Sequence, residues 1–298
     1  MTIGDWQKRN RGRLPEGETL LLLSFVLRED KAAILAHPER ILSHEQEIFL
    51  DQCAERRRKN EPISSITGEK EFFGYPFLVT NDTLIPRPET EILIEQVLQR
   101  ISSIEQRISK EKIFLIDIGT GSGCIPISIL ATLRAKNPEM LSHIRCLATD
   151  ISGKALLVAK ANAKRHAVAD LISFREHDLL SHIPAASFHT DRIIITVNLP
   201  YLSKAIYDAS PEDVRLYEPK SALQGEGRDG AALIRDLLNQ FKNKTAPEGM
   251  FFLILEISPE QGLSLLTYGQ KLFPQSHSFL LPDLSGKDRF LIVENSKE

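Results

Sequence analysis

The C-terminal two thirds of the chain alternates between short, almost wholly apolar runs and longer amphipathic segments. The apolar runs that predict strands lie at residues 113–118, 145–150, 171–174, 192–197 and 250–257. Helical patterns lie between the early runs, as in SGKALLVAKANAKRH at residues 152–166. Strands of near-continuous apolar character that alternate with helices predict a doubly wound α/β fold with a mostly parallel sheet. Two last runs, at 276–281 and 289–294, have no helix between them and predict one antiparallel strand.

The first 65 residues have a helical pattern instead. The segment EGETLLLLSFVLREDKAAILA, residues 16–36, predicts one helix that His37 and Pro38 end. A second helix is expected over residues 43–60, and it ends in the cationic cluster 56–59. Cations at a helix C-terminus favour the helix dipole, so this cluster is either a solvated helix end or a contact for an acidic or RNA-bearing partner.

A change of pattern marks the domain boundaries. KEFFGYPFLVTNDT, residues 70–83, is rich in aromatic and turn residues and predicts a β-hairpin. LIPRPETEILIEQVLQRI then predicts a helix with Pro88 in its first turn and Glu89 and Glu91 at its positive end. We therefore expect a small helical domain at residues 1–65, a hairpin linker at 66–88 and the α/β domain at 89–298.

Composition and charge narrow the classes of protein. The 298 residues are 42% hydrophobic and 26% charged, with a net charge of -3, so no global positive field attracts nucleic acid, although a local patch stays open. The apolar run at 20–27 is too short to cross a bilayer and lacks signal-peptide flanks. Three cysteines without ligand spacing and eight scattered histidines predict a reduced, cytoplasmic protein without a metal.

A glycine-rich loop follows the first predicted strand of the α/β domain. Its sequence DIGTGSG includes Asp117, Gly119, Thr120, Gly121, Ser122 and Gly123. The spacing differs from the dinucleotide fingerprint, and the loop lacks the lysine of a P-loop. Asp117 would repel a pyrophosphate but suits a cation, such as the amino group of a methionine moiety. A tight strand-to-helix turn without a ligand is the alternative.

Two further strands end in acidic residues at the same predicted edge of the sheet. Asp150 could accept hydrogen bonds from both ribose hydroxyls, or could cap the next helix. Asp178 could accept from an adenine amino group while Leu179 packs on the ring. Ligands of such sheets bind beyond the carboxyl ends of the strands, so the loop and these residues together predict an S-adenosylmethionine site.

NLPY, residues 198–201, follows the fourth predicted strand and offers a clamp for a planar amide or amino group. Asn198 Oδ1 and the Leu199 carbonyl could each accept one N–H, which leaves the nitrogen lone pair directed at a methyl donor. Pro200 would hold Leu199 extended, and Tyr201 would stack on the planar group. Asn198, Pro200 and Tyr201 are therefore the catalytic candidates, with a strand-terminating turn as the alternative.

These motifs, taken in order, resemble the HemK/PrmC family of peptide chain release factor glutamine N5-methyltransferases. The matching stretches are GEKEF (68–72), LIPRPETE (84–91), DIGTGSG (117–123), NLPY (198–201) and YEPKSAL (217–223). The resemblance implies a class I methyltransferase domain with seven strands, behind a helical domain that docks the substrate. It also implies that S-adenosylmethionine methylates the glutamine of the GGQ motif in class I release factors.

Matching residues take their expected roles from this resemblance. Gly119 to Gly123, Asp150 and Asn198 would contact the cofactor, and Asn198 to Tyr201 would frame the glutamine. Phe72, Arg87 and Glu89 would shape the substrate entrance, with Glu218 and Asp229 near the same mouth and Glu256 lining the pocket. The family usually has NPPY, so Leu199 is a departure, but the clamp needs only its carbonyl. Leu179 is likewise smaller than the aromatic residue of some relatives.

Two other classes of function fit part of the pattern. An amino-methyltransferase acting on a base in DNA or RNA could use the same clamp, but it would need a flipped base, a basic groove and usually a target-recognition domain. The acidic charge balance argues against it. A regulatory protein that binds the cofactor without catalysis is the second alternative, and the intact NLPY sequence argues against that.

Overall fold

The computed structural model describes residues 1–15, 17–107, 111–245 and 249–295. The chain forms two compact units, of which the first comprises Met1–Glu69 and Pro211–Tyr217. The second comprises Lys70–Ser210 and Glu218–Glu298. The hairpin beyond Glu69 thus belongs to the second unit and is not a separate linker, and a later segment of the chain returns to the first unit.

The α-helices of the described ranges are α1 (Ile3–Asn10), α2 (Glu18–Leu27), α3 (Lys31–Ala36), α4 (His44–Arg58), α5 (Ile63–Thr67), α6 (Glu91–Arg107), α7 (Cys124–Lys136), α8 (Gly153–Arg165), α9 (Lys204–Asp208), α10 (Glu212–Tyr217), α11 (Ala232–Lys244) and α12 (Gly262–Leu272). The strands are β1 (Glu69–Phe72), β2 (Tyr75–Leu78), β3 (Ile113–Ile118), β4 (Ile144–Asp150), β5 (Ile172–Glu176), β6 (Arg192–Val197), β7 (Met250–Glu256), β8 (His277–Pro282) and β9 (Asp288–Asn295). Within these ranges, no α-helix is both long and apolar enough to cross a membrane.

The first unit contains two helices where the sequence predicted one over residues 16–36. Arg28 adopts a left-handed conformation, with φ 56°, and ends α2. Asp30 then caps α3, because its side chain accepts a hydrogen bond from the Ala33 N–H. The strong N-cap competes with a continuous helix, and Glu16, the first residue of the predicted helix, lies outside the described residues.

The cationic cluster at the end of α4 is paired within the first unit. Arg56 bonds to Glu61 at 2.5 Å, Arg57 to Glu18 at 2.5 Å, and Arg58 to Glu55 at 2.7 Å. These carboxylates satisfy the guanidinium groups, and the helix dipole favours cations at this position. The arrangement favours the interpretation as a solvated helix end over a contact for an acidic partner.

The second unit is built on one seven-stranded sheet of order β5-β4-β3-β6-β7-β9-β8. The pairs β4–β5, β3–β4, β3–β6 and β6–β7 are parallel, and β9 is antiparallel to both β7 and β8. Both the mostly parallel sheet and the late antiparallel strand are confirmed. All of β3 is buried, as expected of a central strand covered by helices on both faces.

The β1–β2 hairpin is shorter than the predicted 70–83 and is anchored in the core of the second unit. Phe73 and Gly74 link its strands, and both have positive φ, as two-residue hairpin turns require. Phe72 and Phe77 are fully buried and belong to the same hydrophobic cluster as Leu93 of α6. The second strand ends early because a separate turn follows, in which the Thr83 N–H donates to the Thr80 carbonyl.

Candidate active site at the carboxyl edge of the sheet

A cavity of about 490 Å³ lies beyond the carboxyl ends of β3, β4 and β6. It is lined by most of the residues that the sequence selected, namely Arg87, Gly119, Thr120, Gly121, Ser122, Asp150, Asp178, Leu179, Asn198, Leu199 and Pro200. The others, which lie outside its lining, are Phe72, Glu89, Asp117, Gly123 and Tyr201. Five separate stretches of the chain therefore meet at this cavity, which lies where ligands bind in sheets of this class.

The glycine loop is tied to the neighbouring strand through its backbone. The Thr120 N–H donates to the Thr149 carbonyl at 2.8 Å, and the Gly121 N–H donates to Asp150 Oδ2 at 2.9 Å. Gly121 has φ 55°, and a Cβ placed there would meet no atom within 4 Å. A ligand can therefore approach the bare backbone of this loop closely.

Asp117 lies beneath the loop and is fully buried. Its Oδ1 accepts a hydrogen bond from Thr196 at 2.6 Å, but its Oδ2 and the nearby Thr120 hydroxyl have no hydrogen-bond partner. Burial raises the pKa of Asp117 to about 6, against the opposing effects of the Thr196 hydrogen bond and of the nearby Thr120 hydroxyl. A buried carboxylate with an unpaired oxygen is a suitable acceptor for the ammonium group of a ligand.

Asp150 is held in place from both sides. Its Oδ1 accepts from the Ser152 N–H at 2.9 Å, and burial raises its pKa. The helix cap of α8 is Ser152 itself, whose hydroxyl accepts from the Ala155 N–H. The capping alternative therefore does not apply to Asp150, which lines the cavity together with Asp178 and Leu179.

The amide of Asn198 is fixed by two neighbouring side chains at the cavity wall. Its Nδ2 donates to Thr90 Oγ1 at 3.2 Å and to Glu256 Oε2 at 3.0 Å. Thr90 also donates to Glu256 Oε2, at 2.7 Å, and the Tyr201 hydroxyl donates to Glu256 Oε1, at 3.0 Å. Burial, together with the Glu256 charge, raises the pKa of Tyr201. Tyr201 is thus bound to Glu256 behind the wall, and the stacking role stays a prediction.

Glu218, which the sequence placed only near the substrate entrance, anchors the stretch before α6. Glu218 is buried, and its two oxygens accept from the Ile85 N–H and from the Arg87 guanidinium. This pair holds Arg87 at the cavity, whereas Glu89 is exposed and outside the lining. Phe72 is buried in the core and lies outside the cavity lining, and the roles of Phe72 and Glu89 at the substrate entrance stay predictions.

Two features of the site were missed by the sequence analysis. Thr90 was not selected, although it lies inside LIPRPETE, the motif that drew attention to its neighbours. Gln261 was also missed, and its Nε2 donates to the carbonyls of Tyr201 and Asp229, each at 2.7 Å. Glu256 does not line the cavity as expected; it lies fully buried behind Asn198 and Tyr201.

Asp229 is engaged in hydrogen bonds within the fold and does not face the cavity. Its carboxylate accepts from Arg235 and from the Ala231 N–H next to α11, and the Arg235 hydrogen bonds lower its pKa to about 2. It lies outside the cavity lining. In the ranges that the structure describes, no group of three or more His, Cys, Asp and Glu side chains could hold a metal ion.

The chain is similar to curated proteins along most of its length. A protein of Koribacter versatilis named "Release factor glutamine methyltransferase" is 36% identical over 91% of this chain and 88% of that protein. Proteins of the same name from Nitratidesulfovibrio vulgaris and Bacillus cereus are 34% and 32% identical, over 93% and 92% of this chain and 87% and 90% of theirs. This chain belongs to the release factor glutamine methyltransferase family.

Two further comparisons agree with membership of that family. The model of the PrmC N-terminal domain matches residues 10–68, which lie in the first unit. A crystal structure of the hMettl16 catalytic domain, in complex with the MAT2A 3′UTR hairpin 6, has a TM-score of 0.53 at 16% identity. It covers 86% of this chain and 83% of that one, and the likeness confirms the class I methyltransferase fold alone.

Leu199 is the departure from the usual family motif, and the structure gives it a packing role. Its side chain is buried, and a Cβ added to Gly119 would lie 2.9 Å from Leu199 Cδ2. The leucine therefore fills the space that the glycine of the cofactor loop leaves free. NLPY and the glycine loop are packed directly against each other.

Proposed function

We propose that the protein transfers a methyl group from S-adenosylmethionine to the side-chain amide nitrogen, N5, of the glutamine in the GGQ motif of class I peptide chain release factors. Membership of the family supports this activity. The observation that carries the proposal is the position of Asn198, which lies in the cavity wall beside the glycine loop, with its two N–H bonds already directed away at Thr90 and Glu256.

The residues present fit S-adenosylmethionine, which supplies an electrophilic methyl group on a sulfonium when bound. Asp117 Oδ2, which has no hydrogen-bond partner beneath the loop, would accept from its ammonium group, and the open backbone at Gly121 allows close approach. Asp150 is placed to accept from the ribose hydroxyls, and Asp178 with Leu179 borders the region suited to the adenine. Gly119, Thr120, Ser122 and Gly123 complete the loop around these groups.

The charge of the cavity favours a cationic cofactor and a neutral acceptor. Among the residues of its lining, Asp82, Asp150, Asp178, Glu226 and Asp236 are acidic, whereas Arg87 alone carries a permanent positive charge. An acidic wall attracts a sulfonium and an ammonium, and it repels the phosphates of a nucleic acid. This distribution argues against the alternative of a base methyltransferase acting on DNA or RNA.

The proposed acceptor chemistry follows from the nature of an amide. The lone pair of an amide nitrogen is delocalised into its carbonyl, so the nitrogen must be oriented to react. Asn198 Oδ1 and the Leu199 carbonyl would each accept one N–H of the glutamine, leaving the lone pair directed at the methyl group. The nitrogen gains the methyl group, the sulfonium becomes a neutral thioether, and the nitrogen loses one proton.

The first unit provides docking for the release factor in this proposal. Its exposed large apolar side chains include Leu35, Ile41, Ile48 and Phe49, and the second unit exposes such side chains as well. We propose Leu35 and Ile41 as part of the docking surface. We infer a cytoplasmic location, since class I release factors act in translation, and we expect neither membrane nor nucleic acid to be bound directly.

The test is methyl transfer from tritiated S-adenosylmethionine to a release factor, DNA and RNA in parallel reactions. A release factor with the GGQ glutamine replaced by alanine serves as the matched control. We expect label only in the intact release factor, on the GGQ glutamine as located by mass spectrometry. Label in nucleic acid, or equal label in the alanine control, would overturn the proposed function.

A further inference from the structure

The side-chain amide of asparagine can be turned by 180° with little change in shape, yet only one orientation serves the proposed reaction. If Asn198 presents Oδ1 to the cavity, it can accept an N–H of the substrate glutamine. If it presents Nδ2, two donors face each other and the glutamine cannot be oriented. The protein must therefore fix this amide, and the four residues of NLPY contain nothing that does so.

We propose that Thr90 and Glu256 are positioning residues that hold Asn198 with Oδ1, and not its amino group, facing the substrate. Neither residue needs to contact substrate or cofactor to fulfil this role. The inference rests on the proposed function and deepens it. Thr90 and Glu256 would provide the orientation of the Asn198 amide that the reaction requires.

The hydroxyl of Thr90 can act in one direction only. It carries a single hydrogen, which it donates to Glu256 Oε2 at 2.7 Å. Towards Asn198, at 3.2 Å, the same oxygen can therefore only accept. Thr90 is buried, so water has little access to replace either partner.

Glu256 imposes the same direction on Asn198. Its carboxylate is fully buried and accepts from three groups, namely Asn198, Thr90 and Tyr201. Burial raises the pKa of Glu256, and the hydrogen bonds from Thr90 and Tyr201 oppose this rise. Two donors, from Asn198 and Thr90, converge on Oε2, which therefore acts as the acceptor. If the amide of Asn198 were turned, Oδ1 would face Glu256 Oε2 and Thr90 Oγ1. All of these oxygens would act as acceptors, so neither buried contact would contain a hydrogen to share.

Exchanging the amide of Asn198 with the carboxylate of Glu256 tests this orientation directly. In Asn198→Asp, a carboxylate faces the carboxylate of Glu256, and we expect kcat to fall at least 100-fold. In Glu256→Gln alone, Oε1 can still accept from Asn198 while the Tyr201 hydroxyl turns to accept from Nε2, so we expect less than a tenfold loss. In the double variant, the new amide at position 256 can donate to the new carboxylate at position 198, which keeps one oxygen for the substrate. We expect kcat at least tenfold above that of Asn198→Asp.

A second series removes only the hydroxyl of Thr90. Thr90→Val should lower kcat about tenfold at unchanged affinity for the cofactor, and Thr90→Ser should stay within about twofold of wild type. The matched control is Thr132→Val, because Thr132 is also buried and lies outside the site, with its hydroxyl near that of Tyr75. A purely structural role for Thr90 predicts equal effects of the two valine variants, and that result would overturn the inference.

Hydrogen exchange of the Asn198 side-chain amide can be measured without any enzymatic activity, so it tests this inference separately from the proposed function. In protein labelled with ¹⁵N-asparagine, the Asn198 side-chain signal is the one that Asn198→Asp removes. We expect slow hydrogen exchange of this NH2 in wild type and at least tenfold faster exchange in Thr90→Val. If wild type methylates no release factor, the proposed function fails, while the exchange rates still decide the orientation. Unchanged exchange in Thr90→Val, or a double variant no better than Asn198→Asp, would contradict the inference.

Discussion

At the scale of single residues, buried carboxylates determine where the polar atoms of the site stand. Asp117, Glu218 and Glu256 are all buried. Glu218 holds the Arg87 segment, Glu256 holds Asn198, and Asp117 accepts a hydrogen bond from Thr196 of β6. Burial raises the pKa of Asp117 and of Glu256, although both accept hydrogen bonds. Asp117 is the extreme case, because one of its oxygens has no partner.

The raised pKa of Asp117 gives a stability prediction. The carboxyl titrates at about 6 in the folded protein against the usual 3.8, so between about pH 4 and 6 the folded state holds a proton that the unfolded chain has lost. Stability contributed by this group is therefore lost as pH rises through that window. A pKa of about 6 in place of 3.8 corresponds to a loss of roughly 3 kcal/mol in the free energy of unfolding at pH 7 and above.

Asp117→Asn should accordingly raise the free energy of unfolding by up to about 3 kcal/mol at pH 8, with no gain at pH 4. The same variant should weaken binding of S-adenosylmethionine, since a hydrogen bond to a charged group is worth roughly 1.5–3 kcal/mol. Urea denaturation at both pH values and calorimetry provide the measurements. A variant less stable at pH 8 than wild type would show that the carboxylate contributes favourably to the free protein.

Asn198→Ala removes the acceptor that orients the substrate nitrogen. By analogy with the loss of one oxyanion-hole donor, we expect kcat to fall on the order of 10²–10³-fold. Affinity for the cofactor should change much less. Single-turnover methylation of a release factor gives the rate, and a wild-type rate in this variant would exclude the amide clamp.

Leu199→Pro introduces the residue usual in the family. It distinguishes the role of the carbonyl at position 199 from that of the side chain. If the substrate uses only the Leu199 carbonyl, the rate should stay within about tenfold, or roughly 1.4 kcal/mol of barrier. The lost packing on Gly119 should lower the free energy of unfolding by about 1–3 kcal/mol. Leu199→Ala is the control, because it loses the same packing without the proline ring. Activity as low as that of Asn198→Ala would contradict the carbonyl role.

At the scale of elements, the loop of residues 223–230 fixes the backbone that follows NLPY. The Leu202 N–H donates to the Leu223 carbonyl, and the Gly225 N–H donates to the Leu202 carbonyl, both at 3.0 Å. The backbones touch so closely that a Cβ on Gly225 would lie 2.5 Å from the Pro200 carbonyl and still closer to the Gly230 carbonyl. Pro200 and Tyr201 therefore owe their positions to a second loop.

Gly225→Ala should disturb this contact without any strain in φ. The added methyl group must displace backbone, so we expect a loss of about 1–3 kcal/mol in stability together with a lower kcat. Gly269→Ala is the matched control, because its nearest neighbour would be an ordinary 3.5 Å away. Thermal unfolding and single-turnover rates compare the two. Equal behaviour of both variants would mean that the 223–230 loop does not position NLPY.

The sequence predicted the strands of the sheet, and most of the site residues that it selected line the cavity, because both follow from local patterns. Apolar periodicity gives the strands, and polar residues at strand ends gather at one edge of a parallel sheet. Thr90 and Glu256 illustrate what such patterns leave out, since their contact joins residues 166 positions apart. The split at Arg28 and Asp30 was missed because a capping aspartate inside an apolar pattern resembles a solvent-facing helical residue.

At the scale of the whole molecule, the acidic cavity belongs to the second unit, whereas large apolar side chains are exposed on both units. The second unit contains every residue of the cavity lining. The first unit exposes Leu35 by 61% and Ile41 by 76%. Deleting residues 1–65 is a poor test of docking, because Pro211–Tyr217 also belongs to the first unit and would lose its neighbours.

Point substitutions on the first unit test its docking role without truncation. Leu35→Asp with Ile41→Asp should raise KM for an intact release factor about tenfold or more, through loss of apolar contact at an interface. KM for a short GGQ peptide and kcat for both substrates should stay unchanged, because the peptide reaches only the cavity. Leu284→Asp is the matched control, since Leu284 is 99% exposed on the second unit. An equal rise in KM for peptide and release factor would show that these side chains serve folding and not recognition.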